Sequence, residues 1–398
     1  MTSTLDLVYI NAGGGHRASA LALEAIALEQ RRPWNIRLVN LFEVLDPAHR
    51  FESLTGFKPE DMYNKRLARG WTRSMGQELK VLQQLIRLSH PRLVQRLCAH
   101  WQDSPADMVV SLIPNFNRAM LEGLRRSGSQ APYVTVMTDL ADLARGHFWI
   151  EAAQAGNPQH LVCGTDRAVQ QALALGHGAD YVHATSGMLV RPEFYGHSVR
   201  EREPLMRHYG LDPQRPTGLV LFGGHGSRAM LDVARKLPEV QLILLCGHNQ
   251  ALAEALRKLP AQAPRLVQGF TSDVPGFMRM ADFFIGKPGP GSISEALCSG
   301  LPVMVLHGSN TMPQERYNVQ WVVEQGVGLV CKGQRGIATA VQAMLAQLPV
   351  LRQRVAAMNN RALFEVPQIL AQILQQARPV PAPAHAQAAV EWVDTALH

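Results

Sequence analysis

One short pattern occurs twice in this chain, about 210 residues apart: "LDLVYINAGGGHRASA" from Leu5 and "TGLVLFGGHGSRAM" from Thr217. In each, an apolar run of strand length meets a glycine-rich turn and then a stretch that can form a helix. A strand that feeds a helix through a glycine turn is the opening unit of a doubly wound parallel sheet. Two copies predict an α/β chain with two such domains. A length of 398 residues agrees, because it exceeds what one ordinary core supports.

The stretches between fit the same layering. Strand-like runs fall at Leu5–Asn11, Ile36–Leu41, Met108–Leu112, Tyr133–Thr138, His160–Cys163 and Asp180–Ala184. After Arg191-Pro192 comes a polar, proline-bearing connector over roughly 196–216, and the alternation restarts. The second set is Gly218–Phe222, Val240–Cys246, Arg265–Gly269, Phe283–Ile285, Val303–Leu306 and Gly328–Val330. Expected units are therefore 1–195, 196–376 and a Pro/Ala-rich tail over 377–398 that opens with "ARPVPAPAHAQA".

Composition bounds the function. With 46% hydrophobic and 18% charged residues the chain is globular. Its five cysteines are scattered without a CxxC pair, which argues against a disulfide framework or a cysteine zinc site and suits a reducing cytosol. No signal peptide and no apolar stretch of membrane-spanning length is visible, so the expectation is a soluble or peripheral protein. The net charge of +7 is uneven: residues 51–100 hold nine Lys/Arg against four acids. Such a segment, with Trp71, Leu82, Leu85 and Ile86 interleaved, reads either as a surface for anionic lipid or as an ordinary solvated helical face.

Glycine turns at helix starts point backbone N–H groups at an anion. The first turn fits the dinucleotide form G-x-G-x-x-A through Gly13, Gly15 and Ala18, but the ribose-holding acid expected after the second strand is Asn40, with Glu43 three residues late. A nicotinamide- or flavin-dependent oxidoreductase is thus the weaker alternative. No nucleic-acid-binding motif accompanies the basic segment, so a nucleic-acid partner is not expected. His16 sits at the first helical turn, where the dipole disfavours its charged form. It reads as a neutral general base at a cleft mouth, or as a side chain that only caps and packs against the turn.

The most informative stretch is "FFIGKPGPGSISEALCSGLPVMVLHGSNTMPQERYN", residues 283–318. Ser292 followed by Glu295 has the spacing of a capping box. The same turn could face a diphosphate while Glu295 accepts from a ribose diol. Gln314, Glu315 and Asn318 could hold sugar hydroxyls, or simply start a solvated helix.

These residues resemble a known family. "GGGHRASA", "TDL", "RPEF", "GFTSDVPGFMRMADFFIGKPGPGSISEALCSGLP" and "PQERYN" resemble the monogalactosyldiacylglycerol synthases and bacterial diacylglycerol glucosyltransferases, relatives of the enzyme that adds N-acetylglucosamine to lipid I. The resemblance implies a GT-B fold, two Rossmann-like domains facing each other across a cleft. It implies inverting transfer from a UDP-sugar to a membrane lipid hydroxyl, most simply diacylglycerol, with no cofactor and no catalytic metal; the chain has no Asp-x-Asp motif. It implies a protein peripheral on the inner face of the cell membrane, docked on anionic lipid through 51–100. By resemblance His16 is the acceptor-side base, with Gly14, Gly15 and Asp139 beside it. Arg191 is associated with the nucleotide, and Gly223, Gly224, Gly226 and Ser227 form a diphosphate loop. Phe270 and Thr271 flank the uracil; Gly289, Pro290, Gly291, Ser292 and Glu295 form the phosphate-and-ribose helix start. Gln314, Glu315 and Asn318 form the donor-sugar loop. The chain departs from the usual Pro-Gly-Gln-Glu-x-Gly-Asn: Met312-Pro313-Gln314-Glu315-Arg316-Tyr317-Asn318 replaces both glycines.

Overall fold

The computed structural model describes residues 2–11, 15–47, 75–143, 147–195, 202–308 and 311–377, with 75–78 described by backbone alone. Among the described residues twelve strands form two six-stranded sheets, and every pairing there is parallel. The first contains β1 (Ser3–Tyr9), β2 (Trp34–Asn40), β3 (Met108–Ser111), β4 (Tyr133–Val136), β5 (His160–Cys163) and β6 (Val182–Ala184). The second contains β7 (Thr217–Leu221), β8 (Gln241–Leu245), β9 (Arg265–Gln268), β10 (Phe283–Gly286), β11 (Val303–His307) and β12 (Gly328–Lys332). Central strands such as "MVVS" and "YVTV" are buried on both faces, which is why they read as continuous apolar runs.

Strand order places the site. The first sheet runs β2-β1-β3-β4-β5-β6 and the second β12-β11-β10-β7-β8-β9. Order therefore reverses between β1 and β3 in one sheet and between β7 and β10 in the other. In open parallel sheets a crevice forms outside the carboxyl ends of the strands at such a reversal, because the flanking connections leave in opposite directions. The loops after β1 and β3, and after β7 and β10, are thus the ones expected to carry function.

Two features differ from the sequence-based expectation. The boundary at 196 puts the helix Ala362–Ala377 in the second domain, yet Leu363, Val366, Leu370, Ile373 and Leu374 are buried in the first domain's core with Leu5, Leu23 and Val110. The helix carries a continuous apolar face, and packing across the helix Gly15–Glu29 takes that face out of water. The helix Met75–Asp103 is the other surprise: it runs 29 residues, through Pro91, along the outside of the first domain. No helix among the described residues is long and apolar enough to cross a membrane. The 377–398 tail, apart from Ala377, lies outside the described residues.

Candidate active site

On the first domain's side, His16 is the second residue of the helix Gly15–Glu29, which starts at the end of β1. Its Nδ1 lies 3.1 Å from the Thr138 hydroxyl, and its ring sits 5.9 Å from the fully buried Trp149, tilted by 55°. Burial pushes the imidazole down to about 4, against the Leu112 backbone at the end of β3, which favours the charged form. His16 is therefore neutral at physiological pH for a stronger reason than the helix dipole alone. The Trp149 indole N–H donates to Asp139 Oδ2 at 2.7 Å. Burial pushes the Asp139 carboxyl up to about 7; the Trp149 hydrogen bond opposes this, Glu315 and Asp142 add to it, and Lys287 opposes it again. Trp149 itself is fixed by Asp142, whose carboxylate accepts from the backbone N–H groups of Leu143, Trp149 and Ile150.

The second domain answers with two loops. After β7, Gly223 and Gly226 take positive φ, +78° and +59°. At Gly226 a Cβ would also lie 2.9 Å from the Cys246 carbonyl oxygen, so this turn accepts no other residue without moving. The Ser227 hydroxyl accepts from the Ala229 N–H, and the helix begins only at Ala229. His248 stacks on Phe270 with centroids 4.1 Å apart and planes at 19°, while Phe270 remains 60% exposed. An exposed aromatic face held by a second ring is a platform for a flat ligand.

After β10, Gly289 is the N-cap and Pro290 the first residue of the helix Pro290–Cys298. Proline fits that position because its φ is preset and its missing N–H would be unpaired there anyway. This corrects the capping-box expectation: Ser292 lies inside the helix, and no side chain caps it. Glu295 instead faces Arg191, Oε1 to Nε at 4.0 Å, while the Arg191 guanidinium also lies over the Phe194 ring. Burial pushes the Glu295 carboxyl up to about 7, with Arg191 opposing and Glu193 adding. A Cβ on Gly291 would meet no described atom within 4 Å, so the helix N-terminus opens onto space.

Sequence reasoning missed Lys287. Its ammonium donates to Glu315 Oε1 at 2.7 Å and lies 3.7 Å from where a Gly289 Cβ would be. The signal was present in "GKPGPGS": a cation two residues before a helix N-cap belongs with any anion that helix end binds. His248 and Arg167 were also missed, since nothing local in the sequence ties them to the cleft. The 4% exposed Glu315 is thus a paired carboxylate opposite Asp139. Asn318 is fully buried; its amide nitrogen donates to the Pro288 carbonyl and braces the Lys287–Gly291 loop, while its Oδ1 has no hydrogen-bond partner among the described residues. Gln314 contacts Met312 Sδ, and Thr271 accepts from the Asp273 N–H. Gly14 lies outside the described residues, while Gly15 is exposed at the cleft helix start. Asn40 caps the helix Leu41–Leu45 through Phe42 N–H and donates to Glu43, which occupies the two residues a dinucleotide ribose would require. Among the described residues no cluster of three His, Cys, Asp or Glu side chains could hold a metal.

Two Rossmann-like sheets whose reversal-point loops meet across one cleft define a GT-B architecture. Solved structures share this fold at low identity: Acinetobacter baumannii MurG (TM-score 0.56, 12% identical, covering 94% of this chain and 100% of that one) and Medicago truncatula UGT71G1 complexed with UDP-glucose (0.58, 12%, 94% and 98%). Residues 219–373 match the glycosyltransferase family 28 C-terminal domain. The chain is also similar to the chloroplastic monogalactosyldiacylglycerol synthase of Spinacia oleracea, 31% identical over 248 residues, 59% of this chain and 46% of that protein. The match spans about half the length of that protein and of the Glycine max relative.

Proposed function

We propose that the protein transfers a hexose from a UDP-sugar to a membrane lipid hydroxyl with inversion, diacylglycerol being the acceptor that the monogalactosyldiacylglycerol synthase likeness favours. The observation that carries the proposal is the meeting of two unlike half-sites: neutral His16 and Asp139 on one wall, and the Lys287–Glu315 pair beside an open helix N-terminus on the other. In this reaction the acceptor oxygen attacks the anomeric carbon from the face opposite UDP, and His16 takes its proton as the C–O bond forms. The anomeric C–O bond to the diphosphate breaks and UDP leaves with the electron pair. Its charge is met by the helix N–H groups near Gly291 and Ser292, by the 223–227 loop and by Lys287. Phe270 carries the uracil, Glu295 the ribose, and Gln314 with Glu315 the sugar. A metal has no part in this scheme.

A second reading gives the proton to Asp139, because a group near 7 is better matched to general base work at neutral pH than one near 4. The pH dependence of kcat at saturating donor separates them: with His16 as base, kcat falls only toward pH 4, whereas with Asp139 it falls below about pH 7.

Delivery to a lipid surface rests on the helix Met75–Asp103. Val81, Leu82, Leu85 and Leu88 are 55%, 45%, 56% and 81% exposed and share one helical stripe. Lys80, Arg87 and Arg92 are exposed around them. An apolar stripe rimmed by cations suits the headgroup region of an anionic inner-leaflet surface. Most of the basic residues of 51–100, from Lys58 to Arg73, and Trp71 lie outside the described residues.

The test is UDP release from a panel of UDP-sugars with vesicles of diacylglycerol and anionic lipid, beside lipid-free controls. One donor turning over only with diacylglycerol present, and losing turnover in His16→Ala, is the expected result. UDP release that ignores lipid points to another acceptor, and no UDP binding at all overturns the proposal.

A further inference from the structure

Among the contacts that join the two walls, one is a cation–ring contact beside the reacting groups. Arg167 lies on the first turn of the helix Asp166–Ala174 in the first domain, and its guanidinium sits over the ring of Tyr317, 4.4 Å from the centroid, in the second. Both ends of this contact are anchored. Thr165 caps the Arg167 helix through the Ala168 N–H, and its hydroxyl donates to the Leu140 carbonyl, one residue from Asp139. Tyr317 follows Glu315 by two residues at the start of the helix Arg316–Glu324, and its hydroxyl reaches Glu324 Oε2 at 3.4 Å. The path Asp139, Leu140, Thr165, Arg167, Tyr317, Glu315 therefore leaves the cleft on one wall and returns on the other.

We propose that Arg167 and Tyr317 are positioning residues that hold the acceptor loop Thr138–Leu140 at a set distance from the Lys287–Glu315 pair. This rests on the transfer reading only for its kinetic consequence; the mechanical coupling stands without it. Tyrosine supplies what the position needs, a planar face for a guanidinium. Asp139 reports the distance, because its neighbours are Trp149 and Asp142 from its own domain and Glu315 and Lys287 from the other. If the walls separate, only the pair from its own domain remains.

The test compares Arg167→Met, Tyr317→Leu, Tyr317→Phe and the Arg167→Met/Tyr317→Leu double variant of the full chain. Hydrogen exchange of the ligand-free protein is expected to show amides of 138–142 and of 315–318 losing protection together in Arg167→Met and Tyr317→Leu, by about 3- to 10-fold, with no further loss in the double variant. Tyr317→Phe keeps the ring face and is expected to stay within 2-fold of wild type. Independent changes in the two segments, or equal loss in Tyr317→Phe, would overturn the coupling. In turnover assays, kcat is expected to fall about 3- to 5-fold in the same two variants, and any pH inflection belonging to Asp139 to move. Coupled exchange without UDP-sugar turnover by wild type would leave the coupling standing and sink the transfer reading. Turnover with unchanged kcat and pH profile in both variants would sink the positioning role.

Discussion

The two glycine turns that look alike in sequence are built for opposite electrostatic work. After β1 a 15-residue helix begins at Gly15 and delivers one imidazole, His16, to the cleft. After β7 the turn folds back on the Cys246 carbonyl, its helix starts late, and the open helix N-terminus comes from a different loop, after β10. Around the first turn burial drives titratable groups toward their neutral forms, His16 down and Asp139 up. Around the second, Lys287 and Glu315 stay within 2.7 Å as a pair. A wall of neutral acid–base groups can move a proton; a wall with a fixed cation beside a helix end can hold an anion. The division of labour in a sugar transfer is the same.

The largest effect that could break this contrast is His16→Ala. Loss of a positioned base costs about 10²- to 10⁴-fold in kcat, while UDP affinity should not change because His16 belongs to the other wall. Calorimetry with UDP beside steady-state turnover checks both halves. A variant that lost UDP binding would place His16 on the wrong side.

Lys287→Gln attacks the opposite wall. A charge-assisted hydrogen bond to a phosphate contributes about 1.5–3 kcal/mol, so UDP affinity should fall about 10- to 100-fold. UMP lacks the second phosphate and should bind the variant as it binds wild type, within 2-fold. Equal losses for both nucleotides would make Lys287 a brace for Glu315 and nothing more.

Glu295 sharpens the comparison, since it is the one carboxyl on the donor wall that burial pushes up to about 7. A ribose diol donates to a carboxylate, so the ionised form binds better and donor KM should fall as pH rises through about 7. Glu295→Gln should show a KM raised by about 10-fold at pH 8 and flat from pH 6 to 8. A wild-type KM independent of pH in that window would remove Glu295 from the ribose.

Much of the scaffold was legible because it follows from local rules. All twelve strands fall where short β-rich runs are bounded by turn residues, and His16, Glu295 and the 289–291 turn are read from residues adjacent in sequence. What was not legible depends on tertiary choices. Ser292 and Glu295 have capping-box spacing, yet Gly289-Pro290 starts the helix three residues earlier and leaves Glu295 for Arg191. Asn318 has the chemistry of a sugar ligand because amides bind hydroxyls, but that its amide nitrogen also braces the Pro288 carbonyl is a tertiary pairing no local pattern shows. Trp149 lies 133 residues from His16, and Arg167 lies 150 from Tyr317; no periodicity links partners brought together only by the packing of two domains. The apolar face of Ala362–Ala377 was visible, but which of two cores it covers was not.

The smallest effect tests whether the acceptor wall is neutral in the way its burial implies. Folding lowers His16 from 6.5 to about 4 and raises Asp139 from 3.8 to about 7. Between about pH 4 and 6.5 the folded pair holds one proton, on Asp139, and the unfolded pair also holds one, on His16. Their contributions to the pH dependence of stability therefore cancel. Asp139→Asn leaves His16 alone: the unfolded chain then binds the extra proton, and stability should rise with pH relative to wild type by up to about 1.4 kcal/mol per pH unit. His16→Ala leaves Asp139 alone: the folded chain binds the extra proton, so stability should fall with pH at up to that rate. Glu295 and every other group contribute equally to all three proteins and drop out of the difference. Denaturant midpoints at pH 4.5, 5.5 and 6.5 read the slopes directly. Opposite slopes of similar size would establish that the wall buries one neutral base beside one neutral acid; parallel slopes would mean that at least one of them is charged in the folded protein, and the contrast between the two walls would fail at its first term.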